Sequence, residues 1–209
     1  MPYRGNNENK STGGANWLGF QEVALTDVVD KSNDYSEMDM FLNFSFRNQN
    51  SQYPTDYSLM GSFDKDSTGR VEGDSGLLKR IIYICDALGF SGGVDTQGTW
   101  VDKDDKPIDD IAGFLNVNYS VANYGLNDGE DEHKYFIFVY KKWNEKAKKA
   151  YTTVCPKIVP NTPAGQRDLK SYIDWMKKNG YIKEHDDQDE PVMAHAEGSA
   201  ATAGAFDKF

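Results

Sequence analysis

The alternation of apolar and polar residues along the chain predicts a β-rich domain. Between Met38 and Arg47, apolar side chains fall at every second position, which is the period of a strand with one buried face. Segments 55–63 and 113–123 alternate in the same way, and a first strand is expected at 17–25. Segments 135–142 and 150–155 are expected to form a hairpin around the loop 143–149.

Two segments have helical periodicity instead. Leu77 to Leu88 carries apolar residues at helical spacing, with Asp74 or Ser75 as a cap and Gly89 as a stop. A second helix is expected at 164–179, after Thr162 and Pro163. The chain is therefore predicted to be mainly β, as an OB-fold-like β-barrel with one helix between the third and fourth strands and an additional C-terminal helix. An α+β sheet with one covered face is the alternative.

Composition divides the chain into three parts. Residues 1–16 are polar and predict a disordered N-terminal arm, residues 17–183 form the domain, and residues 184–209 predict a flexible acidic tail ending in Phe209. The net charge is −10, of which the tail carries −6, so the remainder is only mildly acidic.

The richest candidate for chemistry is the segment from Tyr140 to Tyr151, at the predicted hairpin. It holds five lysines, one glutamate and three aromatic residues. Lysines attract phosphates, and flat rings stack on bases of any sequence. The alternative is a solvated turn whose lysines protect a strand edge. The residues expected to contact DNA are Tyr140, Lys141, Lys142, Trp143, Lys146, Lys148, Lys149 and Tyr151.

A second candidate surface lies on the polar face of the strand 38–47. Phe41 is out of phase with the apolar positions and falls among Asn43, Ser45 and Arg47. Phe41 and Arg47 are therefore also predicted to bind DNA, by stacking and by charge. Equally, Phe41 could pack beneath the N-terminal arm.

Catalytic and metal-binding motifs are weak throughout the sequence. Segment 64–75 partly matches a calcium loop, but Ser75 stands where a glutamate is expected. A two-metal nuclease would need converging carboxylates, and the cluster Asp102, Asp104, Asp105, Asp109 and Asp110 is expected to be a solvated loop. We therefore expect a non-enzyme without metal or cofactor.

The sequence also bears on location. No apolar run approaches the roughly 20 residues that span a bilayer, and residues 1–14 have no apolar leader segment. A cytoplasmic protein without membrane association is expected. Cys85 and Cys155 lie in apolar segments and are expected to be buried free thiols.

The tail is a candidate for partner binding. Its acidic residues precede an Ala/Gly-rich spacer, and a terminal phenylalanine with its carboxylate suits a small apolar and basic pocket. Plain solubilising disorder is the alternative. The candidate residues are Asp186, Asp187, Asp189, Glu190, Phe206 and Phe209.

The element order of residues 17–155, together with the acidic tail ending in Phe209, resembles that of phage-encoded single-stranded-DNA-binding proteins. The resemblance implies non-sequence-specific DNA binding in replication, recombination or repair in a host cytoplasm. It implies that segment 140–151 holds the strand, while the tail regulates binding and recruits replication or recombination proteins. A virion structural or assembly protein without nucleic-acid binding is the alternative, and a homo-oligomer is possible under either reading. Helix 164–179, which the resemblance does not explain, is expected to pack on the barrel or mediate self-association.

Overall fold

The computed structural model describes residues 18–48, 53–121, 133–144 and 146–182. This part of the chain is mainly β, with one six-stranded antiparallel sheet and three helices. The elements are β1 (Gly19–Asp30), β2 (Met40–Arg47), β3 (Thr55–Gly61), α1 (Gly76–Leu88), β4 (Gly93–Val94), β5 (Trp100–Val101), α2 (Ile111–Tyr119), β6 (Tyr135–Asn144), β7 (Lys149–Val154), β8 (Val159–Pro160) and α3 (Pro163–Lys178). The predicted arm 1–16 and tail 184–209 lie outside the described residues.

The main sheet has the strand order β3-β2-β1-β6-β7, and β8 pairs with the start of β6. β1 joins its two halves, because residues 19–23 pair with β6 whereas residues 24–30 pair with β2. The sheet does not form a closed barrel in the described part of the chain, so β3 and β7 are its edges. These edges approach each other, since the Tyr57 hydroxyl of β3 donates to the Pro156 carbonyl beyond β7 at 3.3 Å.

The core lies between the inner face of this sheet and helices α1 and α2. The alternating positions of β2, which include Leu42, Phe44 and Phe46, are buried as their period predicted. They pack with Leu59 of β3 and with Ile81 of α1 in one cluster. Burial of a large apolar side chain contributes about 1.5–3 kcal/mol, so this cluster fixes the strand register.

α1 confirms the predicted helix. It begins after Ser75 and ends at Leu88, where Gly89 adopts the left-handed conformation with φ 69°. That conformation favours glycine because a Cβ atom strains it. Ser75 precedes the helix but its hydroxyl accepts a hydrogen bond from the Asp64 N–H at 3.2 Å, so it ties the incoming loop to α1 instead of capping.

The strand predicted at 113–123 is wrong, because residues 111–119 form the helix α2. The Asp110 carboxylate caps this helix by accepting from the Gly113 N–H at 2.8 Å. Leu115 is buried, whereas Val117 is 85% exposed, an arrangement that a strand would not produce. Asn116 fastens α2 to β1 by bonding both the N–H and the carbonyl of Val28, at 2.8 and 2.7 Å.

The connection between β3 and β6 is consequently larger than the single helix expected there. It contains α1, the two-residue strands β4 and β5, which pair with each other, and α2.

The additional C-terminal helix is confirmed as α3. None of the helices in the described ranges has both the length and the apolar character needed to cross a membrane.

α3 packs on the outer face of the sheet. Packing on the strands was one of the two roles expected for this helix. Thr162 caps it by accepting from the Gly165 N–H at 3.1 Å, and Pro163 occupies its first turn. Its buried stripe of Leu169, Ile173 and Met176 covers Phe136 and Phe138 of β6 in a second apolar cluster. The sheet is therefore covered by α1 and α2 on one face and by α3 on part of the other.

Candidate nucleic-acid interface

The predicted lysine-rich hairpin exists, with a tighter turn than expected. β6 and β7 pair from Val139 opposite Val154 out to Asn144 opposite Lys149, so only residues 145–148 connect them. The Asn144 side-chain oxygen accepts from the N–H groups of Lys146 and Ala147, both at 3.0 Å. These hydrogen bonds stabilise the turn, so the backbone that carries the lysines at its tip has a fixed conformation.

The hairpin exposes most of its candidate residues. Tyr151 is 48% exposed, and the Lys149 ammonium lies 5.8 Å from the centre of its ring. Lys142 is also exposed and lies directly opposite Tyr151 across the strand pair. Four lysines are therefore exposed around an exposed ring, at positions 142, 146, 148 and 149.

The other three hairpin candidates are half-buried. Tyr140 lies on the face covered by α3, where its ring is 6.1 Å from that of Phe138 and nearly parallel to it. Burial raises the pKa of Tyr140, so the hydroxyl is neutral at pH 7. Lys141 and Trp143 alternate onto the opposite face of the strand.

α3 adds cations that the sequence reasoning missed. The Lys177 ammonium lies 5.7 Å from the ring centre of Phe138, and the Lys170 ammonium lies 5.9 Å from that of Phe20, which is 40% exposed. A cation within about 6 Å of a ring is attracted to its face. The outer face of β1 and β6 thus combines aromatic rings with amines from the helix.

Lys157, between β7 and β8, is a further cation missed from the sequence. Its ammonium lies 5.4 Å from the Tyr83 ring and 5.3 Å from the Tyr172 ring, and it pairs with Asp168 at 2.8 Å. This contact joins α1 to α3. Because the Lys157 ammonium is already paired with the Asp168 carboxylate, its role is to position the rings of Tyr83 and Tyr172.

Charge is unevenly distributed between two parts of the fold. Residues 133–182 contain eleven Lys or Arg and three Asp or Glu, a net charge of +8. Residues 18–121 contain eight and eighteen, a net charge of −10. A phosphate backbone is attracted to residues 133–182, the basic half of the fold, and is repelled by residues 18–121, the acidic half. A count by segment would have found this signal in the sequence.

The second predicted surface is not brought together with the first. The Phe41 ring contacts the Tyr35 ring at 5.1 Å and the Lys31 ammonium at 5.8 Å, both from the connection between β1 and β2. Arg47 lies at the other end of β2. The rise per residue of a strand places it about 20 Å from Phe41. Between them, Ser45 lies opposite Asp27 and donates to Asp56 at 2.7 Å, so this face is acidic. Whether the arm covers Phe41 concerns residues outside the described ranges.

The aspartate-rich loops form turns. One oxygen of Asp66 accepts from the Thr68 N–H, the Thr68 hydroxyl and the Arg70 N–H, and the hydroxyl bond contributes most to lowering its pKa. Asp102 accepts from the N–H groups of Asp104 and Lys106, and the Lys106 bond contributes most to its lowered pKa. Within the described ranges, no three His, Cys, Asp or Glu residues are placed to hold a metal ion.

Both cysteines are buried free thiols, which confirms that prediction. Burial raises the pKa of Cys85 to about 12 and that of Cys155 to about 11. Neither thiol is ionised at neutral pH, so neither is a nucleophile there. The Cys155 sulfur instead contacts the Met176 sulfur at 3.9 Å, inside the cluster beneath α3.

Comparisons with known proteins add no further constraint. No protein-family model matches the chain, and no curated protein or solved structure matches it. The fold and surface define the class only coarsely, as a mainly β protein with a six-stranded antiparallel sheet, a lysine-rich hairpin and a basic half. The tail candidates Asp186, Asp187, Asp189, Glu190, Phe206 and Phe209 lie outside the described residues.

Proposed function

We propose that this protein binds single-stranded DNA without sequence specificity, through the hairpin of β6 and β7 and the adjoining end of α3. The observation that carries the proposal is the coincidence of a +8 charge in residues 133–182 with exposed rings in the same half. Lysines 142, 146, 148 and 149 bind phosphates, and Tyr151 stacks on a base. Stacking is sequence-tolerant, since every base has a flat face.

The strand topology supports the same proposal. We propose that three strands in sequence, a helical connection and a returning hairpin, in the order β3-β2-β1-β6-β7, form an open five-stranded barrel of OB type. Such a barrel brings β3 and β7 together, and Tyr57 of β3 donates a hydrogen bond to the carbonyl of Pro156, just beyond the end of β7. In OB-folds the loop between the last two strands contacts oligonucleotides, and here it is the loop 145–148.

We further propose that the tail, residues 184–209, competes with DNA for the basic half and recruits replication or recombination proteins through Phe209. Its net charge of −6 is opposite in sign to the +8 of residues 133–182. Deletion of residues 184–209 is expected to tighten DNA binding, because it removes a repulsive charge. Weaker binding after deletion would contradict this part of the proposal.

The experiment is an anisotropy titration of a fluorescent oligo-dT at low salt, with a duplex of equal length as competitor. We expect saturable binding of oligo-dT and preference for it over the duplex. A variant with Gln at Lys141, Lys142, Lys146, Lys148 and Lys149 should bind much more weakly. No binding of oligo-dT by the wild-type chain would overturn the proposal, and unchanged binding by the variant would place the site elsewhere.

A further inference from the structure

We infer that the rings at the C-terminal end of α3 form a second stacking platform for unpaired bases, with Tyr181 as its open end. This inference rests on the proposed function and extends the site from the hairpin along the helix. It gives α3, which the sequence reasoning left unexplained, a direct part in ligand binding.

Four aromatic rings form a continuous row across α1, α3 and the turn after α3. Tyr83 meets Tyr172 edge-on at 6.0 Å, Tyr172 stacks with Trp175 at 6.0 Å, and Trp175 stacks with Tyr181 at 5.4 Å. The last two pairs are within 28° of parallel. Trp175 is 51% and Tyr181 63% exposed, so the row runs from a half-buried start to an open end.

The turn after α3 holds Tyr181 in place. Gly180 has φ 73°, its N–H donates to the Lys177 carbonyl at 3.0 Å, and the Tyr181 N–H donates to the Met176 carbonyl at 2.9 Å. These are the two bonds of the Schellman motif that ends a helix. The next residue, Ile182, is buried in the cluster beneath α3. An exposed ring with a fixed backbone loses less entropy when a ligand stacks on it.

The row is continuous with the hairpin. Tyr172 of α3 and Tyr140 of β6 both pack against the apolar cluster beneath α3. Tyr140 belongs to β6 and leads to Lys142 and the lysines of the turn. A strand that binds the hairpin can therefore continue onto Tyr172, Trp175 and Tyr181.

Charge favours nucleic acid as the occupant of this row. Residues 157–182 contain five Lys or Arg and two Asp or Glu, a net charge of +3. One of the two acids, Asp168, is paired with Lys157. Lys177 and Lys178 lie in the last turn of α3, between Trp175 and Tyr181 in the sequence. Rings flanked by lysines match the alternation of bases and phosphates in a single strand.

The test compares oligo-dT with an abasic oligonucleotide of the same length, which keeps the phosphates and lacks the bases. Trp175→Ala and Tyr181→Ala should each weaken oligo-dT binding about tenfold, since stacking contributes ~1–3 kcal/mol per base. Both variants should bind the abasic strand as the wild type does. Trp175→Phe and Tyr181→Phe should restore most of the affinity, and Tyr53→Ala, at a 54% exposed ring in the acidic half, should have no effect.

Three outcomes would overturn the inference, and each differs from failure of the proposed function. Wild-type binding of oligo-dT with unchanged affinity in both Ala variants would exclude the row as a platform. Equal losses on oligo-dT and on the abasic strand would indicate a structural or charge effect. Self-association that the Ala variants abolish without loss of DNA affinity would make the row a protein interface. Absence of wild-type DNA binding would reject both proposals together.

Discussion

The two halves of the fold both expose aromatic rings, but they surround them with opposite charge. In the acidic half, the Phe41 ring lies on the same strand face as Ser45, which is hydrogen-bonded to Asp56. In the basic half, Tyr151 lies beside Lys149 and opposite Lys142. An aromatic ring near the surface therefore supports the proposed DNA binding only where several cations lie within reach of it.

The charged residues also have different roles in the two halves. Asp66, Asp95 and Asp102 each accept backbone N–H groups from residues two and four positions ahead, so they shape turns. The lysines of the hairpin tip are exposed instead. Charge therefore stabilises local structure in the acidic half, whereas in the hairpin of the basic half it lies at the surface.

The largest expected effect comes from reversing charge at the hairpin tip. The variant Lys146→Glu, Lys148→Glu, Lys149→Glu should lose at least about 100-fold in oligo-dT affinity at low salt, because three phosphate contacts become repulsive. Its matched control carries Arg70→Glu, Lys103→Glu, Lys106→Glu, three exposed sites in the acidic half with the same change in net charge. Equal losses in both variants would mean that only total charge matters, and the comparison of halves would fail.

A smaller effect separates Tyr151, which is exposed, from Phe41, which is half-buried. Tyr151→Ala should weaken oligo-dT binding about tenfold, whereas Phe41→Ala should change it less than about twofold. Affinities are compared per folded molecule, with the folded fraction taken from thermal unfolding. A larger loss of affinity in Phe41→Ala than in Tyr151→Ala would show that the strand binds at β2 and β3 instead of at the hairpin.

The smallest effect concerns the carboxylates of the acidic half. Asp39 accepts from the Phe63 N–H at 2.9 Å, and this bond is the main cause that lowers its pKa below 3.8, with Lys65 adding to it. A lowered folded-state pKa stabilises the fold above about pH 4, and that stability is lost as the pH falls through the folded-state pKa. Asp39→Asn should therefore reduce the free energy of unfolding at pH 7 by about 1 kcal/mol.

Urea unfolding at pH 7 and pH 3 measures this effect, with Asp109→Asn, an exposed carboxylate in the same half, as the control. The difference between wild type and Asp39→Asn should shrink at the lower pH, and DNA affinity should remain unchanged. A difference that stays constant with pH would show that the Asp39 charge is not its source.

β2 and β3 could be predicted because alternate residues of each strand face the core. The alternation in β2 predicts its end at Arg47 and its inward residues, whereas the strand begins at Met40, two residues later than expected. The same rule misread residues 113–123, because a short helix with Leu115 inward and Val117 outward also contains apolar residues at alternate positions. The decisive contacts of α2, from Asn116 to Val28, are separated by 88 residues and leave no local pattern.

The candidate site could be predicted only where its residues are close together in the sequence. The hairpin is one continuous segment, so its lysines and rings could be grouped from the sequence. Lys170 and Lys177 reach Phe20 and Phe138 only after α3 docks on the sheet. Phe41 and Arg47 share a strand face, but five residues of extended chain lie between them, and a shared face does not make them neighbours.

The salt dependence of oligo-dT binding by the wild-type chain tests most directly whether the basic half holds the phosphate backbone. If about five phosphates contact its lysines, a plot of the logarithm of the binding constant against that of the salt concentration should have a slope of about −3.5. A binding constant that is independent of salt would show that the cations of residues 133–182 do not hold the strand, and the account would be wrong.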